Sequence, residues 1–453
     1  MKGGDLSGEK KLTEKDTPEL DQSEIRSTRR RQNTSSGLIA LFAFAIAVTP
    51  EFDFLGIPKV RVTDLLLPLI LLTVGSNVIR KNGPNGKPRK FPFTALFANI
   101  ICWDLCSLFL FGSADIRPGI FYLAKRVAFF LIAYMGYAAV DSMESFTKII
   151  RGLLWACPIL CLSVLLEARY KSDDGLSGDA MRASGIIEGQ QASTAMFIVI
   201  VLCLCGGLWA ATENKTPLLV TVLLGIAAIF ATGTKGALLS GGFAMLILAL
   251  APGRARIPLH YLILPIVLGW IILPDRLRDR LMGVAPEISQ VYAGLTEDSS
   301  LMPSAGSSSL ASRIVTAQAV MTDLIPQSPL LGLGTGFKHL GSIDNFYLTE
   351  WVYHGLVGLI LFLILIRKML MLFLESIRNI RAPTGRAAAT GMLAALGAML
   401  ISGLHAESFY LIRPMECFML LTGLVAGCQS VQEAVQKGRP GPRFNKFPIP
   451  GRP

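Results

Sequence analysis

Twelve apolar runs divide the chain, separated by polar or basic segments. They fall at about 37–56, 62–79, 92–112, 117–140, 146–167, 190–211, 216–232, 236–251, 258–274, 347–372, 387–408 and 412–428. Most approach the ~20 residues an α-helix needs to cross the hydrocarbon core of a bilayer. The pattern predicts an all-α polytopic membrane protein with about 12 transmembrane helices. The runs at 216–232 and 236–251 are short, as suits tilted, broken or protein-buried spans. Two connections are long: residues 168–189, and residues 275–346, a large loop before the tenth crossing. No fixed-period repeat or inverted pair of halves is visible.

Composition agrees with lipid as the solvent. Hydrophobic residues make up 52% of the 453 and charged residues only 17%, against about a quarter in ordinary soluble domains. The mean hydropathy is +0.51. The formal charge of +11 comes from cations in short loops rather than on one continuous face. That placement speaks for topology control and against nucleic acid as a partner. Arg26, Arg29, Arg30 and Arg31 precede the first run. Further cations cluster at 80–90, at 148–151, at 254–256, at 367–386 and in the C-terminal tail. The short alternate loops are poorer in cations, with Lys59 and Arg61, then Arg117, then Arg413. The bias predicts an even number of crossings with both termini in the cytoplasm. Residues 1–36 lack the apolar core of a signal peptide and read as a disordered cytoplasmic tail. Residues 37–428 form the transmembrane domain, and 429–453 a disordered basic tail. The eight cysteines lie in or beside apolar runs; without His or Cys partners at matching depth they read as packing residues, and no metal site is expected.

Both long connections fall on the same, outer face, which places function there. That face carries isolated cations among small polar residues: Arg182, Lys235 and Arg313. Cations at a membrane boundary bind lipid phosphates, or snorkel to the interface. Asp104 lies inside the third run, and Lys125 and Arg126 inside the fourth. Asp104 and Lys125 are each roughly 12 Å deep at 1.5 Å per residue. An Asp104–Lys125 ion pair is therefore expected, as a structural tether or as part of a phosphate site. Gly332, Gly334 and Gly336 have no βαβ context and read as an irregular turn, not a dinucleotide fingerprint. Asp344-Asn345 opens the tenth crossing. Asp344 suits a helix N-cap, or a carboxylate that takes a proton from a hydroxyl.

Four segments together resemble the O-antigen ligase/polymerase superfamily of bacterial surface-glycan assembly. They are Arg182 to Gln191, the Thr/Ser-rich turn Thr232 to Leu239, Arg313 with Pro329 to Gly336, and Asp344 to Gly358. Lys235 stands where the family more often has Arg. The resemblance implies a membrane-embedded glycosyltransferase of the bacterial inner membrane, active at the periplasmic face, without metal or other cofactor. It implies an undecaprenyl-pyrophosphate-linked glycan as partner, together with the bilayer and a chain-length regulator. Arg182, Lys235 and Arg313 would hold the pyrophosphate. Asp344 would act as base or orient the acceptor, so that Asp344 and Arg313 are the expected catalytic pair. Further candidates are His339, Glu188, Glu350, Lys125 and Arg126. Ligases of the family tend to have His where this chain has Asp344, which favours a repeat-unit polymerase. His339 nearby keeps open a ligase transferring glycan to lipid A-core. A transporter or flippase is the remaining reading, and would want helix breaks at the midplane and pseudo-symmetry.

Overall fold

A computed structural model of the chain describes residues 36–54, 57–80, 90–110, 116–173, 182–186, 190–251, 267, 309–335, 337 and 343–436. Its elements are α1 (Ser36–Val48), a hairpin of β1 (Glu51–Phe54) and β2 (Ile57–Arg61), α2 (Val62–Arg80), α3 (Thr94–Leu110), α4 (Ile116–Ala139) and α5 (Met143–Asp173). There follow α6 (Gln191–Leu208), α7 (Thr216–Thr232), α8 (Lys235–Leu250), α9 (Ser309–Ala319), α10 (Phe346–Asn379), α11 (Pro383–Gly403) and α12 (Ile412–Gln436). Among the described residues all regular structure apart from the hairpin is helical. By length and composition, α4, α5, α6, α10, α11 and α12 can each cross a bilayer. Among the described residues α1, α2, α3, α7 and α8 are shorter apolar helices. The expected ninth run, 258–274, lies almost wholly outside the described residues.

The first apolar run is not one helix. α1 ends at Val48 and the chain turns into the hairpin, where Glu51 pairs with Arg61. Pro50 lies two residues past that end, and a proline disfavours helical geometry in the residue before it, here Thr49. Two buried arginines take up the carbonyls this leaves. Arg61 donates to Ile46 O at 2.8 Å and to Glu416 Oε2 at 2.7 Å. Arg413 donates to Ala47 O at 3.1 Å and Thr49 O at 2.6 Å. Cations at a helix C-terminus face its negative pole. At the other end of the chain α12 stays helical to Gln436, eight residues past the last apolar run.

The bundle packs through small residues. α12 lies along α4, where a Cβ on Gly136 would stand 2.5 Å from Leu420 O. α11 packs on α6, α8 and α10, with a face of Ala387, Ala388, Ala394, Ala395 and Ala398. In lipid, where side-chain burial brings little hydrophobic gain, close backbone approach supplies the attraction. α6, buried along nearly its whole length, forms the centre.

Candidate functional site

Two clusters of ionisable residues occupy the half of the bundle that holds the start of α10. The first is internal. Arg126 of α4 donates to Asp104 Oδ1 of α3 at 2.9 Å, to Glu350 Oε2 of α10 in a short contact, and to Tyr410 Oη at 2.9 Å. Tyr410 Oη in turn donates to Glu350 at 2.7 Å. His354 Nε2 lies 3.1 Å from Asp104 Oδ1 and 2.9 Å from Thr335 Oγ1. His354 Nδ1 is 3.2 Å from Glu350 Oε1, without the alignment of a hydrogen bond. Asp104, Arg126 and Glu350 line a cavity of about 50 Å³, walled by Phe97, Phe129, Phe346 and Phe362. That volume holds a water or two, not a sugar.

This arrangement corrects the expected Asp104–Lys125 pair. Asp104 binds the next residue, Arg126, while Lys125 Nζ bonds both oxygens of Asp64 at 2.7 and 2.8 Å. Successive helical residues point about 100° apart, so 125 faces α2 and 126 faces α3 and α10. With its partners in place, Arg126 is surrounded by two carboxylates and a phenol, an environment hostile to a phosphate. Glu350, a weaker candidate base from the sequence, is fully engaged by the same network.

The cluster is built around a broken helix. α10 is interrupted at Gly355, with φ 66° and ψ −171°. The turn from Pro329 to Gly334 fills the gap. Leu333 N–H donates to Val352 O at 2.7 Å and Gly334 N–H to Tyr353 O at 3.1 Å. On the far side, Leu356 N–H donates to Pro329 O at 3.0 Å and Val357 N–H to Leu330 O at 3.2 Å. Ser107 Oγ and Trp103 Nε1 cap Tyr353 O and His354 O, each at 2.9 Å. The carbonyls of 352–354 and the N–H groups of 356 and 357, freed by the break, thus have protein partners, as a membrane interior requires. Gly332 and Gly355 make it sterically possible: both have positive φ, and a Cβ on Gly332 would stand 2.5 Å from Gly355 N. The irregular turn expected of the glycines is there. A transporter's broken helix exposes backbone to its cargo; here protein groups take up those positions.

The second cluster lies at the end of the bundle and is half open. Arg313 of α9 pairs with Asp344 through Nε and Oδ2 at 3.2 Å, their side chains 41% and 40% exposed. Among the described residues Asp344 is the single non-glycine with positive φ, 47°. Such strain costs of order 1–3 kcal/mol and tends to collect at functional sites. The helix cap expected of Asp344 belongs instead to Asn345, whose Oδ1 accepts from Leu348 N–H at 3.1 Å. Asn345 Nδ2 also donates to Leu404 O at 3.1 Å, tying the start of α10 to the segment 404–411.

That segment brings His405 and Glu407. The His405 imidazole sits directly over Gly236, the second residue of α8, so that any side chain there would strike the ring. Burial, and after it the Arg313 charge, hold His405 below its usual value. Glu407 accepts from Thr349 Oγ1 at 3.0 Å. Burial lifts its carboxyl above the usual range; the Thr349 bond works against that and the Asp344 charge with it.

Arg182 joins from the other side. α7 ends on Gly233 in the left-handed conformation, and Thr234 leads into α8 at Lys235. Arg182 Nε donates to Thr232 O and Nη2 to Thr234 Oγ1, both at 3.3 Å. Glu167 of α5 fixes the Arg182 segment by accepting from Ser184 N–H at 2.7 Å and, in a short contact, from Gly185 N–H, while Lys171 Nζ donates to Arg182 O at 2.9 Å. Arg182 therefore touches the Thr232–Thr234 turn, Lys235 follows that turn, and Gly236 touches His405 beside Arg313 and Asp344. His339 and Glu188 lie outside the described residues. No sequence pattern marked His405 and Glu407; both fall inside the apolar run read as 387–408, and two titratable side chains near its end were the available signal.

No protein-family model matches the chain, and a search of curated proteins finds no match.

Proposed function

We propose that the chain polymerises undecaprenyl-pyrophosphate-linked oligosaccharide repeat units at the periplasmic face of the bacterial inner membrane. In this reading it crosses the membrane about twelve times, termini inside, with the Arg313–Asp344 end outward. The observation that carries the proposal is that the Arg182–Lys235 turn is linked to His405, and His405 lies within the electrostatic reach of the Arg313–Asp344 pair. The N-terminus of α8 adds its positive pole to the same place. An apolar groove of about 290 Å³ between α6, α7 and α8 begins beside that turn, at Phe230 and Ala237, and suits an isoprenoid chain.

The chemistry is a displacement at the anomeric carbon. The acceptor hydroxyl oxygen forms the new glycosidic bond and the bond to the phosphate oxygen breaks, its electron pair leaving with the pyrophosphate. Arg182, Lys235 and Arg313 neutralise the leaving group's charge. Asp344 orients the acceptor hydroxyl and Glu407 takes its proton; a carboxyl held above the usual range is the stronger base once ionised.

Replacing Arg313 or Arg182 with Ala should abolish long glycan while the protein still inserts. Normal chain length in both variants defeats the proposal. The imidazole of His405 beside Asp344 supports a second reading, a ligase acting on lipid A-core. Loss of a ligase leaves lipid-linked polymer unattached, whereas loss of a polymerase leaves single repeats.

A further inference from the structure

At the opposite end of the bundle the segment leading into α3, together with α4, α10 and α12, lines a cavity of about 350 Å³. Its position along α10 fixes its depth. Lys368 lies 22 residues after Phe346 and Glu375 lies 29 after it, or roughly 33 and 44 Å at 1.5 Å per residue. The hydrocarbon core is about 30 Å thick and the whole bilayer about 40–45 Å. If the start of α10 marks one boundary, this cavity spans the headgroup layer of the other.

Its walls have two characters. Phe93, Leu372 and Ala426 are buried and apolar; Lys90, Lys368, Glu375 and Glu433 are exposed at the rim. The four charges balance. Part of the rim is held in place from behind: buried Ser376 Oγ donates to Gln429 Oε1 at 2.8 Å, and Gln429 Nε2 donates to Glu433 Oε1 at 3.1 Å. Tyr137 Oη donates towards Ser430 Oγ and Lys90 O, each at 3.2 Å, and the Ser430 hydroxyl adds a donor between the lysines and the carboxylates. Lys368 and Glu375, two helical turns apart, form no ion pair with each other among the described residues. A purely anionic headgroup would meet two carboxylates here, and a purely cationic ligand two ammonium groups. A zwitterion satisfies both, and carboxylate acceptors favour an ammonium that still carries N–H donors.

We propose that this cavity binds the headgroup of a phospholipid with a primary ammonium, its phosphate on Lys90 and Lys368 and its ammonium between Glu375 and Glu433. The site is independent of the glycan reading. Soluble phosphoethanolamine shares this chemistry; the buried apolar wall favours the lipid.

The test uses the full chain, purified and delipidated in detergent, with melting temperature as readout while short-chain lipids are titrated in. Phosphatidylethanolamine should raise the melting temperature at about tenfold lower concentration than phosphatidylcholine, which lacks N–H donors, or phosphatidylglycerol, which lacks the cation. Glu375→Gln with Glu433→Gln should erase the advantage over phosphatidylcholine, and Lys368→Gln should weaken all three lipids. All substitutions lie on exposed side chains, so the unliganded melting temperature should hold. Equal response to the three lipids, or an ethanolamine preference surviving the Glu375/Glu433 double variant, overturns the proposal. So does an equal shift from soluble phosphoethanolamine, which would assign the cavity to a soluble zwitterion.

Discussion

The internal cluster around Arg126 and the open cluster around Arg313 use the same residue types, an arginine, carboxylates and a histidine, under opposite conditions. In the first, Asp104 and Glu350 are buried, Arg126 is met on three sides, and the adjoining cavity admits only water. In the second, Arg313 and Asp344 share one bond, stand about 40% exposed, and Asp344 holds a strained backbone. The difference separates structure from chemistry. A guanidinium saturated by carboxylates can hold helices together; Arg313, with one half-exposed partner among the described residues, has donors left for a phosphate.

Substitutions can break that contrast, and their expected cost to the fold falls in order. Arg126→Met strands two buried carboxylates and should cost about 3–5 kcal/mol, read as a collapse of the melting temperature in detergent. A variant as stable as the parent would remove the structural role assigned to the internal cluster. Gly355→Ala should cost about 1–3 kcal/mol from the positive φ alone, with more from contact against Leu330 O. Arg313→Ala should change stability by less than about 1 kcal/mol, since the pair is half exposed. It should nevertheless lower glycan transfer by about 10²-fold or more. If Arg313→Ala melts as early as Arg126→Met, the two clusters are not different in kind.

The pH dependence sharpens the contrast further. Glu407 must lose its proton to act as base, and burial places that loss above the usual carboxylate range. Transfer should therefore rise with pH on a limb displaced upward from that range. Asp344→Asn removes a neighbouring negative charge that contributes to the displacement, so the residual activity's limb should move to lower pH. A limb unmoved in Asp344→Asn would take Glu407 out of the reaction.

Much of this architecture is legible in the apolar runs, because a run long enough to span has few other places to go. α7 begins and ends where its run does, at 216 and 232. The hairpin after α1 is harder, since Phe52, Phe54, Leu55 and Ile57 carry the apolar character past Pro50 although Glu51 and Asp53 interrupt it. What sequence alone loses is direction. Depth along the helices brings Asp104 level with both Lys125 and Arg126, and one residue of helix rotation decides between them. The glycine turn at 332–334 shows itself, yet its counterpart Gly355 sits in an unbroken apolar run and is intelligible only with the turn docked against it. His405 and Glu407 belong to the site through tertiary packing against Gly236 and Thr349, which no local pattern encodes. The cations of the site were easier, because Arg182, Lys235 and Arg313 stand alone among small residues.

The most direct measurement is the affinity of the purified chain for undecaprenyl pyrophosphate, compared with the monophosphate, in the parent and in Arg182→Ala, Lys235→Ala and Arg313→Ala. Three cations around one diphosphate predict tighter binding of the pyrophosphate and about a tenfold or greater loss in each variant, at nearly unchanged melting temperature. Undiminished pyrophosphate binding in the variant lacking all three side chains would contradict the assignment of this site.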